Sequence, residues 1–313
     1  MRFRIQHVTR YRYAEPVSLC HSVAHLKPRD QSNQRTLSAQ LRVDPWPAVS
    51  REHTDFFGNR QCYFSIQQSH TALELTASSE VIISAPLVPV LDSSEPWEAV
   101  ASELRDSRDE ETLAARIFIL SSAYVPQEPA AIEYARASFP AGTPLLVGVA
   151  DLMGRIYRDF EYDPHFTTVA TPLTEVIAHR KGVCQDFAHL AIACLRGLKL
   201  AARYVSGYLE TLPPPGVTKL QGADASHAWF SVFVPGTGWV DFDPTNDQIP
   251  REQHITTAVG RDFQDVTPLR GVFYGGGEHQ LEVAVDVDRV ETAAAGEAAV
   301  LPDVRSGRPD RTP

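Results

Sequence analysis

Little in this chain points toward a membrane, a nucleic acid or a structural metal. No apolar run reaches the ~18 residues that a membrane-spanning helix needs. The longest near the front, residues 81–90, is interrupted by Pro86 and Pro89. The start, Met1-Arg2-Phe3-Arg4-Ile5-Gln6-His7, alternates apolar and polar and lacks the apolar stretch of a secretory leader. A cytoplasmic location and no membrane partner are the expectations. A basic surplus is missing too. The 29 Lys and Arg stand against 39 Asp and Glu, for a net charge of −10, so no nucleic-acid partner is expected. Cysteines are four, Cys20, Cys62, Cys184 and Cys194. Their spacings match neither a zinc-ligand pattern nor a CxxC redox pair. In a reducing compartment Cys20 and Cys62 read as free thiols, not a bridge. No metal and no cofactor is expected.

What is present is a globular composition, 43% hydrophobic and 22% charged over 313 residues, enough for a sizeable core in one or two domains. Residues 1–88 read as short strands. Phe3, Ile5, His7, Thr9, Tyr11 and Tyr13 alternate with mostly basic neighbours, the period of a half-buried strand. Further strands are expected over 22–27, 34–43, 49–57, 62–68 and 72–83, with a tight turn at Phe57-Gly58-Asn59-Arg60. This spacing suggests a β-sandwich module.

A proline-punctuated linker follows, and the period then changes to about 3.6. Helices are expected over 97–105, 110–123, 130–138, 146–160 and 173–180, the last closed by Lys181-Gly182. After residue 200 the period returns to two, with strands over 202–209, 228–234, 238–242 and 280–290. The second unit therefore spans 93–290, and residues 291–313 carry no periodicity, which predicts a disordered tail.

Chemistry gathers at Gly182-Val183-Cys184-Gln185-Asp186-Phe187-Ala188-His189-Leu190. The segment after Cys184 is apolar on nearly every side, the mark of a buried helix. A cysteine in its first turn meets the positive end of the helix dipole, which favours thiolate. Downstream, His227 begins one strand and Asp243 ends the next. The turn Pro235-Gly236-Thr237-Gly238 joins the two strands, so the hairpin places His227 and Asp243 at one edge. A thiol, an imidazole and a carboxylate then supply a nucleophile, a base and an orienting group. Cys184 and His189 are five apart on a helix, about 140° around it. They diverge, which argues against a metal set of Cys184, His189 and His227.

The residues Arg180-Lys181-Gly182-Val183-Cys184-Gln185-Asp186-Phe187-Ala188, Ser226-His227-Ala228-Trp229 and Gly238-Trp239-Val240-Asp241-Phe242-Asp243-Pro244-Thr245 resemble the transglutaminase-like superfamily, relatives of papain-type cysteine enzymes. The β-rich start resembles the N-terminal module of bacterial members. Residues 260–271 and Gly275-Gly276-Gly277 are similar to the end of those proteins. The resemblance implies an α+β fold: an N-terminal β-sandwich module, then a papain/transglutaminase-like core whose nucleophile helix packs on an antiparallel sheet. It implies Cys184 as nucleophile, His227 as base and then acid, and Asp243 as orienting carboxylate. The reaction would be acyl transfer from a peptide or protein amide through a thioester; the expected cytoplasmic setting and the lack of obvious calcium loops, rather than the resemblance, favour hydrolysis over transfer to an amine. A non-catalytic binding protein on the same fold is the competing class.

Gln185, Tyr162, Asp224 and Trp229 are further candidates for the cleft or the oxyanion site. Asp186 reads as a helix-start acid, and the Pro213–Gly222 loop as a lid. Iodoacetamide is expected to alkylate Cys184 much faster than the other three cysteines. His227→Ala should remove that excess, and peptide mapping of the folded protein reads both.

Overall fold

The computed structural model describes residues 1–87, 89–168, 171–211 and 226–290. The expected disordered tail, the Pro213–Gly222 lid and Asp224 lie outside the described residues. Strands β1 (Arg2–Ala24), β2 (Gln34–Asp44), β3 (Val49–Thr54), β4 (Arg60–Ile66) and β5 (His70–Ile83) come first. Helices α1 (Trp97–Asp106), α2 (Glu110–Ala115), α3 (Pro129–Arg136) and α4 (Leu145–Asp159) follow. Next are β6 (Glu161–Tyr162), α5 (Leu173–His179), β7 (Lys181–Gly182) and α6 (Cys184–Gly197). Then come β8 (Ala202–Leu209), β9 (Ser226–Val234), β10 (Gly238–Phe242) and β11 (His254–Gly260). The last elements are α7 (Phe263–Val266), β12 (Leu269–Gly275) and β13 (His279–Arg289).

β1 is one 23-residue strand where the residue pattern suggested two. Its first half pairs with β5 and β13, and its second half with β4 and β12. A register break between Arg12 and Val17 marks the passage from one half to the other. The two halves enclose a shared core that includes Tyr13, Val17, Phe64, Ile66, Leu73 and Leu75. All seven strands belong to one antiparallel sheet, with β1 running through it. Residues 269–289, expected in the 93–290 unit, instead complete this N-terminal sheet. Without them both halves of β1 would present an open edge of unpaired backbone groups.

The second sheet runs β10-β9-β8-β11, all antiparallel. α6 packs on it, joining Leu190, Ile192 and Leu195 to Phe230 and Val232 in one core. That contact explains why α6 is apolar all round. The expected helix 110–123 is shorter: α2 ends at Ala115 and a 3₁₀ turn covers Arg116–Ile119. The left-handed residue that closes α5 is Arg180 (φ 53°), not a glycine at 182. β11 was not legible as a strand, because all seven of its residues are buried and show no alternation. Among the described residues no helix is long and apolar enough to cross a membrane.

β11 is an edge strand of the core sheet, and the N-terminal module covers its outer side with two side-chain amides. Gln34 Nε2 donates to the Thr256 carbonyl (2.8 Å) while Gln34 Oε1 accepts the Thr256 N–H (2.9 Å). Asn59 Nδ2 donates to the Val259 carbonyl (2.7 Å) while Asn59 Oδ1 accepts the Val259 N–H (2.8 Å). Each amide does what a neighbouring strand would do for those backbone groups. Beside these clamps an apolar seam joins Phe3, Ile5, Val81 and Ile83 of the module to Tyr208 and Ile255 of the core.

Gly207 in β8 lies opposite His227 in β9. A Cβ there would stand 2.1 Å from the Ile255 carbonyl oxygen and 2.6 Å from the Trp229 ring. Gly207→Ala is expected to cost about 2–3 kcal/mol of stability, since overpacking a closed interior forces backbone to move. A urea-denaturation midpoint equal to wild type would contradict this.

Candidate active site

Cys184 is the first residue of α6, with Val183 extended at the cap. Asp186 makes this helix start. Its carboxylate turns back to accept the Val183 N–H (2.9 Å) and the Thr167 hydroxyl (2.8 Å). The backbone folds closely enough that a Cβ on Gly182 would stand 2.8 Å from Asp186 Cβ. Hence glycine is needed at 182. Burial raises the Asp186 pKa against the opposing pull of these two bonds. The first-turn N–H groups of Cys184 and Gln185 have no i−4 partner, as at any helix start.

The Cys184 thiol lies near enough to the His227 imidazole to help raise its pKa. His227 Nε2 bonds Asp243 Oδ2 at 2.8 Å, which leaves Nδ1 as the nitrogen for the thiol. Asp243 directly follows β10 and is fully buried. Its Oδ2 also accepts His254 Nε2 (3.0 Å) and Asn246 Nδ2 (2.8 Å), and its Oδ1 accepts the Thr245 N–H (3.0 Å). Burial opposes the carboxylate charge, but the bonds from His227 and His254 outweigh it and hold Asp243 well below the usual range. For His227, burial likewise opposes charge. The bond to Asp243 and the nearby Cys184 outweigh it and push the imidazole up to about 10. Arranged this way, a proton leaving sulfur has an acceptor whose positive form is already stabilised.

Of the expected residues, Cys184, His227 and Asp243 converge. Tyr162 joins them: β6 pairs with β7 beside the α6 start, and Tyr162 is 54% exposed with its ring edge-on to Phe187. Burial and the neighbouring Cys184 raise its pKa. Gln185 is half-buried in the first turn of α6. Trp229 does not line a cleft. It is fully buried among Val205 and Val259, and its Nε1 donates to Asp241 (3.1 Å). His189 lies apart, accepting the Phe263 N–H and stacked on Tyr124, with its pKa lowered by burial to about 3. All four cysteines are free thiols.

His254 and Asn246 were missed. Asn246 was within reach of the sequence, three residues past Asp243 in its turn. His254 was not, because β11 carries no strand signature. His227, Asp243 and His254 bring three ligand-type atoms within 4.8 Å of one another. Their 2.8 and 3.0 Å contacts are hydrogen bonds and account for the cluster. A cavity of about 630 Å³ opens elsewhere, between Asn33 of the module and Arg203, Trp239, Asp241 and Arg251 of the core. His254 is in its wall, but Cys184 and His227 are not.

A thiol at a helix start facing an imidazole–carboxylate pair on an antiparallel sheet defines a papain-like layout. The chain belongs to the transglutaminase-like superfamily. The model of that superfamily matches residues 135–244, and the bacterial transglutaminase-like N-terminal region matches residues 3–82. An uncharacterized protein of Mycobacterium tuberculosis is 42% identical over 294 residues, 91% of this chain and 92% of that protein. A protein-glutamine gamma-glutamyltransferase of Pseudomonas aeruginosa is 28% identical over 134 residues, 38% of this chain and 20% of that one. Among solved structures, a candidate cysteine protease from Cytophaga hutchinsonii superposes with a TM-score of 0.74 at 23% identity, covering 93% of this chain and 91% of that chain. It shares the fold.

Because the folded pKa of His227 is raised, its protonated form contributes stability in full below the ordinary value of about 6.5. That contribution is lost as pH rises through about 10. In Asp243→Asn the His227 pKa is expected to fall toward the ordinary range, so the stability loss above about pH 6.5 should be smaller and end at lower pH. Histidine NMR titration and pH-dependent denaturation measure the two.

Proposed function

We propose that this protein is a cysteine-dependent acyl-transfer enzyme that cleaves a peptide or isopeptide amide through a thioester on Cys184. The observation that carries this reading is the buried His227–Asp243 hydrogen bond with the Cys184 thiol of the α6 start beside the same imidazole. In the first half-reaction the thiol proton rests on the His227 imidazolium, and the thiolate sulfur attacks the amide carbon. Negative charge gathers on the carbonyl oxygen, where the Cys184 backbone N–H at the positive end of α6 is the nearest donor of the right kind. The imidazolium then gives its proton to the departing amine as the C–N bond breaks. In the second half-reaction His227 deprotonates water, which attacks the thioester and releases the acid. Asp243 stays ionised throughout and keeps the ring oriented.

Transfer of the acyl group to an amine is the second reading. It is favoured by the partial similarity to a glutamine gamma-glutamyltransferase. Both readings share every step up to the thioester and differ only in the second nucleophile.

Incubation with an activated acyl ester is expected to add one acyl group to Cys184, seen by intact-protein mass spectrometry. Cys184→Ser should abolish that adduct. His227→Ala is expected to slow acylation by about 10²–10⁴-fold, the usual contribution of a positioned acid–base group. Amide and isopeptide substrates, tested with and without an added primary amine, separate the two readings: release of free acid alone supports hydrolysis, and an amine conjugate supports transfer. Acylation spread over all four cysteines would overturn both.

A further inference from the structure

The Asp243 carboxylate has more support than orienting one imidazole requires. Its Oδ2 receives a second ring, His254, through Nε2 at 3.0 Å. His254 is 5% exposed. Its other nitrogen, Nδ1, is buried and has no hydrogen-bond partner among the described residues. With an ionised acceptor on Nε2, the proton that meets Asp243 is on Nε2. The ring is also held by packing: Trp229 meets it edge-on at 5.2 Å, and Trp229 is itself fixed through Nε1 to Asp241.

His254 opens β11, the edge strand that Gln34 and Asn59 clamp from the N-terminal module at Thr256 and Val259. A continuous path therefore runs from module amides to β11, to His254, to Asp243 and to His227. Asp243, with His227 beyond it, faces the Nε2 side of His254, and Glu111, Arg203, Asp241 and Arg251 line the same cavity wall.

We propose that His254 is a positioning residue for the Cys184–His227 pair, and that the N-terminal module serves the site by holding the strand that carries His254. This rests on the reading of Cys184, His227 and Asp243 as the reactive set. A buried carboxylate rotates to wherever its donors are. His227 supplies one donor to Oδ2, and a second rigid donor from a different strand fixes the direction in which Oδ2 points. His254 does not touch the reacting atoms. Its effect passes through the orientation of Asp243, and hence through how well the His227 imidazolium is held.

The test is the pH profile of Cys184 alkylation by iodoacetamide in the full chain, with melting temperature recorded for every variant. His254→Leu removes the donor. It is expected to slow alkylation at pH 7 about tenfold, the scale of small misplacements at a reacting centre, and to move the alkaline limb to lower pH. His254→Gln keeps an N–H donor and is expected to recover most of the rate and the limb. Gln34→Leu with Asn59→Leu is expected to shift the profile in the same direction by less. A His254→Leu profile that superposes on wild type overturns the proposal, as does equal loss in the Gln and Leu variants.

Histidine ¹⁵N spectra of the wild type give a measurement that needs no variant to fold. A His254 ring with a proton on Nε2 supports the assignment, and a ring protonated on Nδ1 alone overturns it. If wild-type Cys184 alkylates no faster than the other cysteines, the reactive-set reading itself fails. Fast wild-type alkylation with unaffected His254 variants removes only the positioning role.

Discussion

A carboxylate with no access to water is the constraint around which this fold closes. Asp243 is fully buried, and an ionised group in that position costs several kcal/mol unless its lone pairs are met. Four N–H donors meet them: His227 from β9, His254 from β11, and Asn246 and Thr245 from the turn that follows Asp243. None of these is useful without the others in place. The hairpin must be in register, the edge strand must lie beside β8, and Asp243-Pro244 must end β10 so that the turn can fold back. The same donors that keep the carboxylate ionised aim it at the imidazole that faces the thiol.

The edge strand is the part least able to hold itself. β11 pairs with β8 on one side only, and its outer backbone groups would otherwise be exposed or unpaired. The amides of Gln34 and Asn59 fill that role, and the seam of Phe3, Ile5, Tyr208 and Ile255 excludes water beside them. The N-terminal sheet in turn is incomplete without β12 and β13, which come from the far end of the chain. Module and core are therefore interlocked, with chain order cutting across both.

Charge at the start of α6 is divided by geometry. Asp186 lies two residues from Cys184, where a free carboxylate would oppose a thiolate. Instead it turns back onto Val183 and Thr167, made possible by the missing side chain at Gly182. The acid serves the cap, while the helix dipole and His227 act on sulfur.

Most of the helices, the early strands and the Cys184–His227–Asp243 set were legible because each rests on a local signal. Those signals are a two- or 3.6-residue period, a tight turn that cancels sixteen residues of separation, and an apolar helix after a lone thiol. What failed had no local signal. β11 is buried on both faces and so shows no alternation. β1 runs unbroken through Ala14-Glu15-Pro16, where the alternation lapses. The indole of Trp229 gives no hint of which face it will take, and it turned inward against Val205 and Val259. Residue types and spacing by themselves determined that a thiol, an imidazole and a carboxylate come together and which elements bear them, since periodicity and turn chemistry act over a few residues. Only the tertiary structure decided which strand completes which sheet, and that a second histidine eleven residues on shares the same carboxylate oxygen. Those pairings form between segments distant in sequence, through backbone groups that every residue carries alike.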